Sequence, residues 1–325
     1  MRRSTAAFCT TALALLVAGC DGPQTALSDA GTDAAQLYRI FVVMLIGAVL
    51  LWIALNGLFT WVTRFHTGEL SPRLAEGVII GGGIVLPLIV ITALLSWGLS
   101  IMPDQRAPGD GLVVRVTGEQ WWWRVSYEAP GREAVVVSAN EVRLPAGQRV
   151  EIFLTSDKVI HSFWVPSLGG KMDMFPGSEN RMTLRAERPG TYRGQCAEFC
   201  GLSHALMAFN AVVLDEAEFD AWLEAEASPT AAGTDDPGAQ VFFAEGCGAC
   251  HRIGGTDAVG AVGPDLTHLA SRTSLAAGIL PMTPDALAAW IRRPDAVKPG
   301  ALMPSYTHLT EDQLSALSGW LMRLE

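Results

Sequence analysis

Three apolar runs open the chain, and a pattern of short alternating runs follows them. The first run extends from two N-terminal arginines to Ala18, which is typical of an export signal. The next two, residues 40–62 and 77–102, contain no charged residue. Each is longer than the roughly 20 residues that cross about 30 Å of hydrocarbon, and only a short loop separates them. We therefore predict a transmembrane helical hairpin over residues 37–103.

The end of the first run has the features of a processing site. Val17-Ala18-Gly19 leads directly into Cys20, which resembles the cleavage site of bacterial lipoproteins. We predict that residues 1–19 are removed, Cys9 with them, and that Cys20 is lipidated. Residues 20–36 would then form an exported segment, and a plain signal peptide that happens to contain a cysteine is the alternative. Export of the N-terminus puts everything after the hairpin on the outer, periplasmic side of a bacterial inner membrane.

Between residues 110 and 222 the pattern changes to short runs in which apolar and polar residues alternate. These runs cover residues 112–117, 121–127, 149–155, 181–186 and 211–214. Glycine and proline separate them, for example at Pro145-Ala146-Gly147 and Pro176-Gly177. Many short strands with regular turns predict an all-β sandwich or Greek-key barrel.

The last third of the chain has a helical pattern. Residues 223–237 are acidic and contain proline and glycine, which predicts a flexible linker. Within residues 238–325, a closing amphipathic helix over 311–323 places Leu314, Leu317 and Leu321 on one face. The sequence thus predicts a multidomain protein that has a transmembrane hairpin, an all-β barrel and an all-α domain.

Composition supports the membrane segments and says little about partners. Half of the residues are hydrophobic and 17% are charged, which is unusual for a purely soluble protein. The formal charge is −10, but much of it lies near the predicted linker, in a stretch without Lys or Arg. This stretch contains Asp215, Glu216, Glu218, Asp220, Glu224, Glu226, Asp235 and Asp236. Nothing in the chain is basic enough to indicate nucleic acid.

The most informative stretch runs from Cys196 to Met207, with the sequence CAEFCGLSHALM. Its two thiols, the His204 imidazole and the thioether form a soft ligand set that suits copper, although zinc also accepts Cys and His. The thioether favours copper, and so does His161 in the apolar strand VIHSFW. A histidine in such a strand is, taken alone, more often a packed core residue. Cys196 and Cys200 could also form a disulfide in an oxidised, metal-free protein.

These residues belong to a group of motifs that resembles subunit II of haem-copper cytochrome c oxidases. The motifs are Gly118-Glu119-Gln120-Trp121-Trp122-Trp123, His161-Ser162-Phe163-Trp164-Val165-Pro166, Lys171-Met172-Asp173, Pro176-Gly177 and the Cys196–Met207 loop. The resemblance covers roughly residues 36–222. It implies a cupredoxin-like Greek-key barrel that holds a dinuclear copper centre.

The resemblance also implies the ligand set of that centre. Cys196 and Cys200 would bridge two coppers, and His161 and His204 would each cap one. Met207 and the backbone carbonyl of Glu198 would be weak ligands. The Glu198 side chain would reach a magnesium ion shared with subunit I.

Residues outside the copper loop receive roles from the same resemblance. Trp121, the first tryptophan of its motif, would be the residue through which electrons enter the copper site. In an alternating strand Trp121 and Trp123 point one way and the middle tryptophan the other, so at least one packs inside the barrel. The family usually has His at the position of Glu119, which changes the local packing. Glu76 is the nearest candidate for a residue of proton uptake, and a charged helix end is the alternative.

Cys247-Gly248-Ala249-Cys250-His251 has the spacing of a c-type haem attachment motif. Cys247 and Cys250 would carry the haem through two thioethers, and His251 would bind its iron. A thioredoxin-like redox pair would lack the histidine, and a zinc site would need a second ligand pair.

The segment around this motif resembles class I cytochromes c over about residues 237–325. By that resemblance Met303 is the second axial ligand, since the segment Lys298–Tyr306 frames it with Pro-Gly and Pro304. Met282 is the competing methionine. The Pro264 carbonyl would orient His251.

Taken together, the two resemblances describe subunit II of caa-type cytochrome c oxidases. They imply that an external donor, cytochrome c or another, reduces the haem, which reduces the copper pair, which supplies subunit I. There oxygen becomes water and protons are translocated, so the chain is an enzyme only as part of its complex. Its partners would be subunit I, other oxidase subunits, the donor and membrane lipid. A subunit of a copper-containing nitric oxide reductase and a membrane-anchored electron-transfer protein are the alternatives. A copper-delivery protein would not need the haem, and quinol oxidases lack the copper ligands.

Overall fold

The computed structural model describes residues 22, 24–65, 68, 71–230 and 233–325. The predicted signal peptide, Cys9 and Cys20 lie outside these residues. The chain divides into two units, residues 35–107 and the remainder, and each is described by itself.

The smaller unit contains the predicted helical hairpin. Its helices are α1 (Thr32–Arg64), α2 (Pro72–Ile80) and α3 (Leu86–Gln105), and a π-helical turn (Gly81–Val85) joins the last two. The Ser71 hydroxyl accepts a hydrogen bond from the Leu74 amide and so caps α2, which begins at a proline. Gly81, Gly82 and Gly83 lie in this π-helical turn, where the helix continues through the irregularity rather than ending.

The surfaces of these helices are apolar, and beyond the first turn of α1 they are largely exposed in the described part of the chain. Trp52, Phe59 and Ile89 are each more than 60% exposed, and the apolar windows of the two spans are not buried within the described part of the chain. A core helix of a soluble protein would bury such side chains. The exposure therefore favours a membrane-spanning hairpin, as the sequence predicts.

The larger unit begins with ten strands in two five-stranded sheets. The strands are β1 (Val113–Glu119), β2 (Trp122–Glu128), β3 (Val136–Ala139), β4 (Glu141–Pro145), β5 (Arg149–Ser156), β6 (His161–Trp164), β7 (Met172–Met174), β8 (Asn180–Arg185), β9 (Gly190–Cys196) and β10 (Ala208–Leu214). One sheet has the order β3-β2-β1-β5-β8, and the other has the order β4-β10-β9-β6-β7. Adjacent strands are not always consecutive in sequence, as a Greek-key arrangement requires.

Alternating burial explains why the two sheets pack face to face. Every second residue of β1, β2 and β5 is buried, as their sequences predict. Trp123, Phe163 and Phe209 form the aromatic centre of the core, with the Phe163 and Phe209 rings stacked at 4.8 Å between centroids. The fold is therefore the predicted cupredoxin-like β-sandwich.

A helix that the sequence analysis did not predict follows the last strand of the sandwich. Helix α4 (Glu216–Glu226) packs Phe219 and Leu223 into the sandwich core and contains most of the acidic residues near the predicted linker. The linker was expected to begin at residue 223, but the helix continues to Glu226. The high density of acidic residues made this segment resemble a linker, although Phe219 and Leu223 are apolar and become buried.

The C-terminal part of the same unit is helical. Its helices are α5 (Pro237–Ala244), α6 (Pro284–Arg292), α7 (Pro294–Val297) and α8 (Glu311–Leu321), with a hairpin of β11 (Ser274–Leu275) and β12 (Leu280–Pro281) between α5 and α6. Helices α5 and α8 cross closely because Gly238 lies against the Ala316 carbonyl. Leu314, Leu317 and Leu321 pack into the core with Phe242, as predicted for the closing helix.

Candidate copper and haem sites

Two strands of the sandwich bring the predicted copper ligands together. His161 begins β6 and Cys196 ends β9, and these strands pair so that Phe163 lies opposite Cys196. The loop after β9 then returns through a turn of 3-10 helix at His204 to Met207, immediately before β10. Ligands that are far apart in sequence therefore meet at one end of the sandwich.

Each thiol of this site lies beside a different imidazole, one from β6 and one from the loop. Cys196 Sγ is 3.7 Å from His161 Nδ1, and Cys200 Sγ is 3.6 Å from His204 Nδ1. The two sulfurs are 3.8 Å apart, and both cysteines are free. Cys196 and Cys200 therefore do not form a disulfide in this structure.

Each thiol also has a weaker donor near it. The Glu198 carbonyl oxygen lies 3.2 Å from Cys196 Sγ, and the Met207 sulfur lies 3.9 Å from Cys200 Sγ. All six predicted ligands therefore surround one small volume, and His161, Cys196 and Cys200 bring their ligand atoms within 4.8 Å of one another.

The electrostatics of the site suit a cation. Hydrogen bonding between the two thiols lowers the pKa of Cys196 and raises the pKa of Cys200, because one proton held between the sulfurs stabilises the first as a thiolate. His161 is fully buried, and its Nε2 has no hydrogen-bond partner among the described residues. Soft donors in a dry, preformed cluster are the environment that copper or zinc requires, so the residues fit such an ion.

Trp121 lies directly against the copper loop. Its indole nitrogen donates to the Cys200 carbonyl at 3.0 Å, and the residue is only 8% exposed. Trp123 is fully buried in the sandwich core and Trp122 is half-buried, so the predicted alternation holds within β2. Trp121 lies in the turn between β1 and β2, outside the strand in which it was placed. Glu119 accepts a hydrogen bond from Arg124, which accounts for the acidic residue at this position.

The side chain predicted to reach magnesium lies at the edge of the site. The Glu198 carboxylate is 3.9 Å from the Lys171 ammonium, and Asp173 is 3.8 Å from the same lysine. Glu198 is partly exposed, so its carboxylate is accessible at the surface while its carbonyl faces the thiols.

The haem attachment motif lies in a separate helical core. Cys247 and Cys250 are free thiols, and Cys250 is exposed. His251 contacts the Pro264 carbonyl through Nδ1 at 2.8 Å, which leaves Nε2 free to bind a metal. Burial lowers the pKa of His251, so the ring is held neutral, as an iron ligand must be. Gly263 is required here, because a methyl group would lie 2.5 Å from His251 Cε1. The residues therefore fit a c-type haem.

Both candidate methionines pack against the core of this domain. Met303 differs from Met282 because its loop also contacts the copper domain. Gly300, three residues before Met303, lies against the Trp121 ring.

The sequence did not predict the burial of one charged residue beside Trp121. Lys298 is only 3% exposed, and its ammonium donates to the Trp121 carbonyl at 2.5 Å. The only signal in the sequence was a lysine between Val297 and Pro299 in the predicted haem-ligand loop.

Two known protein families match the two domains that contain these sites. The family model described as cytochrome C oxidase subunit II, periplasmic domain, matches residues 129–214, and the cytochrome c model matches residues 236–325. Cytochrome c oxidase subunit 2 of Alkalihalophilus pseudofirmus is 35% identical to this chain, over 96% of the chain and 95% of its own length. The chain belongs to the cytochrome c oxidase subunit II family. It is a form of subunit II that carries a cytochrome c domain.

Other subunit II proteins are similar over most or part of the chain. The Bacillus subtilis (strain 168) protein is 29% identical over 96% of this chain and 95% of its own length. The periplasmic domain of subunit II of the Bradyrhizobium japonicum cytochrome oxidase is 31% identical and covers 37% of this chain and 95% of its own, with a TM-score of 0.34. As a subunit II, the chain is a membrane-anchored electron-transfer protein with a copper centre and a haem, and it works with other oxidase subunits.

Proposed function

We propose that this subunit II delivers electrons for the reduction of oxygen to water by subunit I, coupled to proton translocation. Electrons would pass from cytochrome c or another donor to one covalent haem c, then to a dinuclear copper centre, and then to the haem-copper site of subunit I. The copper and haem domains would lie on the periplasmic side of a bacterial inner membrane, with Cys20 as a lipid anchor.

The doubled ligand set is the observation that carries this proposal. Two copper ions would share the two thiols. Beside the thiols, the site has two imidazoles and two weak donors, which is one of each for each copper. The distances pair His161 with Cys196 and His204 with Cys200. A structural zinc site uses four ligands in total, and here Met207 and the Glu198 carbonyl would have no role.

In this proposal the chain's own residues supply position and insulation. When bound, the copper pair shares one electron between two metals, which keeps the barrier to transfer small. The sandwich holds His161 and both thiols buried before metal arrives, so little rearrangement accompanies binding. Trp121 connects the copper loop to the incoming electron through its bond to the Cys200 carbonyl. The Glu198 carboxylate would bind magnesium at the boundary with subunit I.

The haem domain supplies two axial ligands of different kinds. His251, which Pro264 orients, and Met303 would hold the haem iron, and the Met303 thioether would raise the haem potential. Cys247 and Cys250 would form the covalent links.

Metal and haem analysis of the complete oxidase tests the proposal. We expect two coppers and one covalent haem on this subunit, with a mixed-valence copper spectrum. Cys196→Ser should abolish the copper and its spectrum while haem attachment persists, because Ser cannot replace a bridging thiolate.

Cys247→Ser is the matched control, since it should reduce covalent haem attachment and leave copper in place. A site that fills with a single copper or with zinc in the wild-type subunit would refute the proposal.

A further inference from the structure

The haem domain contacts the copper domain through the loop that carries its predicted axial methionine. Three consecutive residues of this loop touch the copper domain. The Lys298 ammonium donates to the Trp121 carbonyl at 2.5 Å, and the Pro299 carbonyl accepts from the Ser203 hydroxyl at 2.8 Å. A methyl group on Gly300 would lie 2.9 Å from the Trp121 ring. The loop therefore covers Trp121, which explains why this tryptophan is almost fully buried.

The turn between β11 and β12 forms a second contact. Its residues Ala276, Ala277 and Gly278 have φ values of 51°, 60° and 78°. Two successive alanines in the left-handed region are strained, at a cost of about 1 kcal/mol or more each, so the surrounding structure must impose this conformation. Ala277 is fully buried and belongs to the core of the copper domain.

The carbonyls of this turn show what imposes the conformation. The Ala277 carbonyl accepts from the Ala208 amide at 3.1 Å, and the Gly278 carbonyl accepts from Arg193 at 3.1 Å. Ala208 and Arg193 belong to the copper domain. The third carbonyl, that of Ala276, accepts from Lys298 at 3.0 Å. Lys298 thus joins both interdomain contacts, because the same ammonium binds the Trp121 carbonyl.

We propose that Lys298 is a positioning residue that holds the 298–300 loop and the 276–278 turn together on the copper domain, so that the haem domain stays docked over Trp121. The inference rests on the proposed function, because it specifies how the haem delivers its electron. In that step one electron leaves the reduced haem and enters the oxidised copper pair, and no bond or proton changes.

Burial of a lysine is unfavourable unless its side-chain nitrogen has hydrogen-bond partners. Both partners of its ammonium are neutral carbonyls, and burial lowers the pKa of Lys298 to about 7. The neutral amine still has two N–H groups, which suffice for two carbonyls. The side chain can therefore hold both contacts in either protonation state.

Hydrogen exchange of the complete oxidase tests this role. In Lys298→Met the Trp121 and Ala276 carbonyls lose their donor and become buried, unsatisfied acceptors. We expect exchange at the Ala208 amide and in the peptide over residues 274–281 to accelerate by roughly 10- to 100-fold. Lys298→Arg keeps a donor and should restore most of the protection. Lys158→Met is the matched control, because the Lys158 side chain is 62% exposed, and it should leave exchange at these positions unchanged.

Electron transfer gives a second readout. After photoreduction of the haem in the wild-type oxidase, copper reduction should be fast and independent of solvent viscosity. In Lys298→Met it should slow and become viscosity-dependent, because redocking of the domain then limits it. A residue that only stabilises the fold would not introduce a dependence on viscosity.

The outcomes separate this inference from the function on which it rests. Wild-type exchange and wild-type kinetics in Lys298→Met would overturn the role of Lys298 alone. Failure of the wild-type haem to reduce any copper would overturn the proposed electron route. If Lys298→Met cannot be isolated with its haem and copper, Arg124→Gln tests the docking of the two domains through another contact. Arg124 donates to the Ala261 carbonyl of the haem domain at 2.9 Å. Loss of that contact should also make electron transfer viscosity-dependent, and unchanged kinetics in it would count against docking.

Discussion

Single residues at the copper site act through their neighbours as much as through their own chemistry. Glu119 occupies a position at which the family usually has His, and the structure shows how the chain accommodates it. Its carboxylate accepts from Arg124, and Arg124 lies over the Trp122 ring and reaches the haem domain. The substitution therefore places a cation where it serves the contact between domains.

A glycine beside the copper loop is equally constrained. Gly194 lies opposite Phe209 in the pairing of β9 with β10, and a methyl group there would overlap the Phe209 ring. We expect Gly194→Ala to lower the free energy of unfolding by about 1–3 kcal/mol, because the core has no room for it. It should also weaken copper binding, since Cys196 is two residues away. Thermal unfolding of the full chain and copper content measure both effects.

Gly170→Ala is the control for this prediction, since a methyl group there meets nothing within 4 Å. Equal stability of the two variants would contradict the packing argument.

At the scale of elements, local signals decide where helices begin. Helix α8 has a capping box in which the Thr310 hydroxyl accepts from the Gln313 amide and the Gln313 side chain accepts from the Thr310 amide. Helix α4 depends instead on a contact that is distant in sequence, because its Phe219 side chain packs against Tyr127 of β2. Its acidic sequence gave no periodic signal strong enough to predict it.

Loss of the cap on α8 should destabilise the haem domain. We expect Thr310→Ala to cost about 1 kcal/mol, because one helix-end amide loses its acceptor. Denaturant unfolding followed by the haem absorbance measures the loss. Thr307→Ala, at an exposed position before the helix, should have little effect, and a similar loss in both variants would show that the cap contributes nothing.

At the scale of the whole molecule, the chain combines a membrane anchor with two docked redox domains. The loop that covers Trp121 leaves it 8% exposed, so a soluble donor would deliver its electron to the haem and not to Trp121. In the proposed function, the surface of the cytochrome c domain would therefore meet the donor. The contacts at Lys298, Arg124 and the 276–278 turn hold this domain against the copper domain.

The anchor makes a separate prediction about the membrane. Ile89 lies near the middle of the third apolar run, residues 77–102, and is 62% exposed. We expect Ile89→Arg to disfavour insertion by about 2.5–3.5 kcal/mol, because a charge at the centre of a span is poorly solvated. The fraction of the chain that resists extraction from membranes at high pH measures insertion. Ile89→Leu should insert normally, and normal insertion of the Arg variant would indicate that the helix does not span the bilayer.

The sequence by itself determined the chemistry and the order of the domains. Charge-free runs of sufficient length predict the hairpin, alternation predicts the sandwich, and the motifs around Cys196 and Cys247 predict candidate ligands, because all of these are local patterns. The family resemblance implies that His161 joins the cysteines, but only the tertiary structure gives the contact itself, buries Lys298 and sets residues 298–300 against Trp121. Such contacts join residues more than 30 positions apart, and their energy depends on burial and distance, which no local pattern records.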